Sequence, residues 1–364
     1  MKVVQLLPEL NEGGVERGVV ELNEQLIKRG FDSFVISNGG KLAKKVKNDG
    51  GVHIEFDICS KNPLNAPFRV MGLRKIFKEI KPDILHVRSR VPAWLTYFAN
   101  KNLHIPTVST VHGFNSVSFY SKIMTKADRV ICVSSAIKEY IKKHYDTPEK
   151  KITVIPRGVD LKKFNTKNID VAFIDEFIDK YGLKDSFTVS TVGRITQLKD
   201  IETFIKAISL LQKEYPNIKG LIVGGAREDK KEYLNSLKNL SKELKADVIF
   251  TESISKVAEI YSLSDVVVSS SKKPESFGRS VAEALSLNTP VIASNHGGVL
   301  DIIIEKKNGY FFNTKDHKEL AKKIIKAKEL KFDGYGYIKE NFSLENMVEK
   351  TVEVYKHLIL EKRS

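Results

Sequence analysis

The chain has 364 residues, 41% hydrophobic and 29% charged, with a formal net charge of +15. At roughly 150 residues per domain this length suits two domains, and the apolar content supplies packed cores, which excludes wholesale disorder. No apolar run approaches the ~20 residues of a membrane-spanning helix, and no leader precedes the first strand-like run, so the expected place is the cytoplasm.

The first predicted strand is KVVQLL, followed by the helical GVERGVVELNEQLIKRG with apolar positions three and four apart. Gly13 and Gly14 lie in the turn between them, where a phosphate or sugar could approach the backbone. Strands DSFVIS, GVHIEF and DILHV come next. DILHV contains His86, and Arg88 and Arg90 follow it. The two arginines suit an anionic acceptor or salt bridges; His86 reads as structural. TVSTVHG carries His112 at a strand end, where sites collect, and RVICVS and ITVIP complete the first series.

A charged connector, RGVDLKKFNTKNIDVAFIDEFIDKYGLKD, leads to a second series: FTVSTVG, IKGLIVGGA, DVIFTES, DVVVSSS, PVIAS and GYFF. Strands alternating with helices imply βαβ crossovers and mostly parallel sheets. The expected fold is therefore α/β: two tandem Rossmann-like domains, 1–160 and 161–345, facing across a cleft. Residues 346–364 form a terminal helix able to pack back on the first domain. Cys59 and Cys132 are too far apart in sequence for a metal motif and read as two buried thiols.

Two stretches of the second series carry chemistry. VGRITQLKD ends a strand at Gly193 and offers Arg194 and Lys199, a guanidinium and an ammonium suited to clamp a diphosphate. KKPESFGRSVAEALSLNTPVIAS leaves a buried strand with Glu275 and Ser276-Phe277-Gly278, then starts a helix at which an anion could bind. Within that small, apolar helix sits Glu283. A buried carboxylate needs a partner: Arg279 four residues back, or the vicinal hydroxyls of a sugar. The G-x-G-x-x-G fingerprint is absent, which argues against a nicotinamide or flavin enzyme.

Glu275 and Glu283, seven residues apart around SFG, resemble the E-x7-E motif of the family 4 retaining glycosyltransferases, which have the GT-B fold. The resemblance spans nearly the whole chain, through NEGGVERGVVEL, PDILHVRSR, TVHGFN, VICVSS, VIPRGVDLKKF, VGRITQLKD, VVVSSSKKPESFGRSVAEAL and VIASNHGG. HVRSRVPAW and KPESFGR are most similar to bacterial members that build lipopolysaccharide or related surface glycans.

The resemblance implies a retaining hexosyl transfer from a nucleotide-diphospho-sugar to a glycan or lipid-linked glycan. Glu283 would hold the ribose hydroxyls and Glu275 the donor sugar. Arg194 and Lys199 would neutralise the diphosphate in place of a metal; the chain has no D-x-D, and no cofactor or metal is expected. Gly13, Gly14, Ser276, Phe277, Gly278 and Arg279 would line the donor, and His112 would bind the sugar and support the transition state. Arg88 and Arg90 would face the acceptor. Two departures stand out: Glu252 in FTESISKV and Asp200 after Lys199, where relatives commonly carry glycine.

Two alternatives bear on function. A non-hydrolysing nucleotide-sugar epimerase shares the fold but needs no acceptor. A nucleic-acid-binding protein would explain the charge, yet no segment interleaves basic and aromatic residues for that purpose. The surplus lysines read as solvated helix faces or as contacts to an anionic membrane, with NAPFRVMGLRKIFKEIK and FNSVSFYSKIMTKADR as the candidate segments for peripheral attachment at the inner face of the membrane.

Overall fold

The computed structural model describes residues 1–11 and 13–363; Glu12 of the NEGG turn and Ser364 at the carboxyl end lie outside the described residues. In chain order the first series is β1 (Lys2–Leu6), α1 (Gly14–Lys28), β2 (Asp32–Ser37), α2 (Ala43–Asn48), β3 (Val52–Glu55), α3 (Ala66–Ile80) and β4 (Ile84–Val87). It continues through α4 (Arg90–Asn100), β5 (Thr107–Val111), α5 (Phe119–Lys122), β6 (Arg129–Cys132), α6 (Ser135–Tyr145) and β7 (Ile152–Val154).

The second series runs α7 (Val171–Tyr181), β8 (Phe187–Val192), α8 (Ile201–Leu211), β9 (Ile218–Val223), α9 (Lys231–Glu243), β10 (Val248–Thr251) and α10 (Val257–Leu263). Then come β11 (Val266–Ser269), α11 (Arg279–Leu285), β12 (Val291–Ser294), β13 (Gly309–Phe312), α12 (His317–Ala327), α13 (Gly334–Phe342) and α14 (Leu344–Arg363). Each strand expected from the sequence is present. β-Branched runs such as VVVS are fully buried, as strands covered by helices on both faces must be.

The chain divides into two units. The first comprises Met1–Gly158 together with the stretch from Leu344; the second is Val159–Ser343. The first holds a seven-stranded parallel sheet in the order β3-β2-β1-β4-β5-β6-β7. Alternate residues of its strands feed opposite layers: Val4, Leu6, Leu85 and Val87 face one core, Val3, Ile84, Val108 and Ile131 another. The second core is closed by Val348, Val352, Tyr355 and Leu358, one stripe of α14.

The second unit holds a six-stranded parallel sheet, β10-β9-β8-β11-β12-β13. Phe204, Ile205 and Ile208 of α8 cover one face, while Val281, Ala282 and Leu285 of α11 belong to another cluster. In both sheets the strand order reverses once, between β1 and β4 and between β8 and β11. Such a reversal leaves the two crossovers on opposite faces and opens a crevice at the carboxyl ends of the strands. Among the described residues no helix is long and apolar enough to cross a membrane.

Candidate functional site

In the second unit the reversal point is flanked by the loops after β8 and β11. Gly193 follows β8 with φ 150°, and its N–H donates to the Val223 carbonyl at 2.9 Å. A Cβ on the neighbouring Gly224 would lie 1.9 Å from the Gly193 oxygen, so the loops after β8 and β9 can cross only with glycine there. Arg194 then points into solvent, without a side-chain hydrogen bond or ion pair among the described residues. Lys199 closes a short 3₁₀ turn, Gln197–Lys199, and its Nζ is ion-paired with Glu275.

Glu275 is the electrostatic centre of this cluster. Its Oε1 accepts from Lys199, from Ser271 and, at 3.4 Å, from Ser269. Burial alone would raise its pKa; the Lys199 charge and these hydrogen bonds outweigh burial and hold the carboxyl below its usual value. The loops are also tied through the backbone. The Ser270 hydroxyl donates to the carbonyls of Lys199 (2.8 Å) and Asp200 (3.1 Å), and the Lys272 N–H donates to Leu198 at 2.7 Å.

Asp200 occupies a turn position whose backbone favours glycine. Its backbone is left-handed, φ 49° and ψ 52°, a conformation that strains most side chains. Here the side chain is buried and engaged: Oδ2 accepts from Thr203 at 2.8 Å and Oδ1 lies 3.3 Å from Lys272 Nζ. Glu252, the other departure, is exposed in the loop after β10.

Ser276-Phe277-Gly278 is shaped by a second loop. Phe277 is buried, its ring 6.1 Å from that of Phe342. The Gly298 N–H donates to the Glu275 carbonyl at 2.7 Å. Gly278 has φ 107°, and a Cβ there would meet Val299 at 2.5 Å. Its glycine is thus required by the β12 loop, a reason separate from the phosphate approach read from the sequence. α11 is only seven residues long. On it Glu283 is buried, accepts from the Tyr261 hydroxyl at 3.3 Å and stands 4.0 Å from Arg279.

The first unit is built differently. His86 is fully buried, bonded through Nδ1 to the Tyr355 hydroxyl (2.5 Å) and through Nε2 to Thr110 (2.7 Å). Arg88 donates to Thr110 (3.3 Å) and to Gln5 (2.6 Å), and burial brings its pKa down to about 10. It is therefore a buried member of a polar network, away from the rim position expected of an acceptor contact. Arg90 is half-buried, donates to Ser121 at 3.2 Å and lies over the Tyr120 ring at 5.4 Å. His112 accepts at Nδ1 from Arg157, which also donates to the Gly14 carbonyl. Burial, with Arg157, Arg88 and His86 adding to it, pushes the His112 pKa well below its usual value. Gly13 is the extended residue that precedes α1.

The structure thus joins Lys199 to Glu275, Arg279 to Glu283, and His112 to Gly14 through Arg157. It leaves Arg194 and Arg90 outside those clusters. Sequence reasoning missed Ser269, Ser271, Tyr261 and Arg157. Only Arg157 carried a signal, a cation just past a strand in VIPRGV. Of the basic candidate segments, Phe77 and Met124 are core residues, and Arg69 and Arg74 are committed to backbone carbonyls. Phe68 (76% exposed), Met71 (66%), Val117, Phe119 (78%) and Tyr120 are their exposed large apolar residues. Cys132 is buried and Cys59 half-buried, both free.

Comparison with known proteins agrees with this layout. Residues 12–163 match the family described as Glycosyltransferase Family 4, and 173–342 match Glycosyl transferases group 1. A glycosyltransferase from Rickettsia africae is 30% identical, with TM-score 0.90 and 98% of each chain covered. Anabaena Alr3699/HepE, solved in complex with UDP-glucose, superposes with TM-score 0.81 at 19% identity, covering 98% of this chain and all of the other. The Escherichia coli UDP-Gal:alpha-D-GlcNAc-diphosphoundecaprenol alpha-1,3-galactosyltransferase is 26% identical over 99% of this chain and 97% of its own.

Proposed function

The chain belongs to the family 4 glycosyltransferases with the GT-B fold, and from that premise we propose a retaining, metal-independent transfer of a hexosyl group. The donor is a nucleotide-diphospho-sugar, and the acceptor is a glycan or lipid-linked glycan of a bacterial surface polysaccharide or lipopolysaccharide. The observation that carries this reading is the Lys199–Glu275 pair at the reversal point of the second sheet. An ammonium has three donors, so Lys199 can hold Glu275 and a phosphate oxygen together. Arg194, exposed in the same loop after β8, supplies a second cation.

As the anomeric C–O bond breaks, negative charge gathers on the departing diphosphate. Lys199 and Arg194 are aimed at that charge, and stabilising it is the main catalytic contribution. Glu275, kept ionised by its neighbours, accepts hydrogen bonds from the donor sugar's hydroxyls. Glu283 accepts from the ribose. The leaving diphosphate takes the acceptor's proton on the face from which it departs, which gives retention without a covalent enzyme intermediate. The test is a thermal-shift screen of nucleotide diphosphates and nucleotide-sugars; a ligand at 100 times its Kd should add about 2.7 kcal/mol of stability. The stabilising nucleotide-sugar is then incubated with a diphosphate-lipid-linked sugar. An α-linked product from an α-linked donor, formed equally with a chelator, supports the reading. A β-linked product, strict dependence on a divalent ion, or conversion of the donor without acceptor rejects it.

The charge supports a place at an anionic membrane surface on the cytoplasmic side. Between residues 61 and 126 eleven residues are Lys or Arg, nine of them outside the core since Arg69 and Arg88 are buried, whereas Glu79 and Asp83 are the only acidic ones. α3, α4 and α5 of that stretch expose Phe68, Met71, Tyr97, Phe98 and Phe119, and Trp94 rings pack with the last three. Apolar rings set among cations suit the interface of an anionic bilayer, where each basic residue contributes about 1 kcal/mol. Vesicle flotation should recover the protein with anionic and not with neutral liposomes, less so at high salt and after Lys122→Glu with Lys126→Glu. Equal recovery from both would reject attachment through charge, and recovery from neither would reject membrane attachment.

A further inference from the structure

Arg157 follows β7, and its guanidinium lies over the first turns of α1. Gly14 and Gly18, four apart and so on one helix face, make room for it: a Cβ at Gly18 would come to 3.3 Å from Nη1, and one at Gly14 to 3.8 Å. Nη1 donates to the Gly14 carbonyl, and Nη2 lies 3.1 Å from His112 Nδ1. A guanidinium has donors only and stays protonated. Nδ1 must then be the acceptor, carrying the lone pair, and the neutral ring bears its proton on Nε2. The groups acting electrostatically on the ring are Arg157, Arg88 and His86. Two fixed cations and burial all oppose a second proton. Nε2 is enclosed and has no hydrogen-bond partner among the described residues.

We propose that Arg157 is a positioning residue that locks His112 in its neutral, Nε2-protonated form. The ring is then a fixed hydrogen-bond donor for an oxygen of the donor sugar or its phosphate, and it is barred from relaying a proton. A histidine free to titrate would alternate between tautomers and charge states near neutral pH. This one presents the same N–H throughout. The identity of the oxygen rests on the glycosyl-transfer reading above; the lock does not.

Proton–nitrogen NMR of the full chain labelled in its histidine rings tests both parts, with His112→Asn to assign the signal. The wild-type ring should show protonated Nε2 and bare Nδ1, and no titration from pH 5.5 to 8.5. Arg157→Met, with its fold checked by Trp94 emission, should populate the Nδ1-protonated form or titrate within that range. Arg157→Lys, which restores a donor to Nδ1, should return the wild-type pattern. A wild-type ring protonated at Nδ1, or titrating near its ordinary value of about 6.5, overturns the lock even if Arg157→Met fails to fold. An unchanged pattern in a folded Arg157→Met overturns it as well. UDP-glucose at saturating concentration should shift the Nε2–H resonance. A saturated protein with an unmoved resonance rejects the sugar contact while leaving the lock in place.

Discussion

The two units solve one architectural problem with different chemistry. Each has an open parallel sheet whose order reverses once, and each places polar side chains at that reversal. In the first unit those groups are neutral imidazoles and the buried Arg88 guanidinium joined by hydrogen bonds, as in the run Tyr355–His86–Thr110–Arg88–Gln5. In the second they are opposite charges in contact, Lys199 with Glu275 and Lys272 with Asp200. A hydrogen-bonded network in a core fixes geometry, because each member left alone would be an unmet buried group. Ion pairs at half-buried loops keep their charge available to a charged ligand. The difference assigns rigidity to one unit and charge handling to the other, and it can be broken experimentally.

The largest effect should come from Lys199→Ala. If the second unit handles charge in the transition state, losing this ammonium lowers kcat by about 10²–10³, the range for removing one preorganised donor, while donor affinity falls less. Steady-state kinetics beside calorimetric donor binding separates the two. A loss confined to affinity would mean that Lys199 holds donor and transition state equally, and the contrast between the units would weaken.

Acid should distinguish the units next. Burial pushes His86 and His112 well below the ordinary histidine value, so the unfolded chain takes up their protons first. Wherever the unfolded state binds more protons, stability falls with falling pH. The first unit should therefore lose about 1.4 kcal/mol per pH unit for each of these histidines below about pH 6.5, until the folded pKa is reached. Glu275 works in another window: its folded pKa is depressed, so its contribution is complete above the ordinary carboxyl value and is lost only in stronger acid. The sole tryptophan, Trp94, belongs to the first unit and reports its unfolding by fluorescence. Urea melts at pH 7.5, 6.5 and 5.5 should show the dependence in Trp94 emission, to which His53, also lowered by burial, adds, and His86→Gln should reduce it.

Glu283→Ala should weaken binding of the nucleotide diphosphate by about 1.5–3 kcal/mol, the range for hydrogen bonds to a charged group. The Tyr261 hydroxyl loses its acceptor in the same variant, so some stability is lost with it. Calorimetry alongside a urea melt apportions the two. Unchanged nucleotide affinity would remove the ribose assignment and leave Glu283 with a structural role beside Arg279 and Tyr261.

Much of this contrast was legible in the sequence, and the limits have physical causes. The strands were legible because a buried parallel strand is a short β-branched run bounded by turn residues. Lys199, Glu275 and Glu283 were legible because their types are unusual just after or within such apolar surroundings. The role of Arg88 was not, because it depends on Gln5, 83 residues away, and Thr110, 22 residues away. The Tyr355 partner of His86 comes from 269 residues on. Gly278 looked like a ligand contact, yet the crowding that demands glycine comes from Val299, on a loop whose path no local pattern reveals. Side-chain identity announces charge; long-range packing decides whether that charge is presented or enclosed.

Asp200 offers the smallest effect and the finest test of that distinction. Its left-handed backbone costs roughly 1–2 kcal/mol for a residue with a Cβ. Its carboxylate offsets this through Thr203 and Lys272, and Lys272 keeps a second acidic neighbour, Glu202 at 3.6 Å. Asp200→Gly removes the strain and the bonds together, so the terms nearly cancel, and the melt should move by no more than about 1 kcal/mol. Asp200→Ala keeps the strain while losing the bonds, and should cost about 1.5–3 kcal/mol. Because the Ser270 hydroxyl still ties the carbonyls of residues 199 and 200, Lys199 should stay in place and kcat should change less than twofold in Asp200→Gly. Equal destabilisation by glycine and alanine would show that the ion pair, and not the backbone, governs the turn. A large fall in kcat with unchanged stability would instead make Asp200 part of the charge-handling cluster, extending it one residue beyond Lys199.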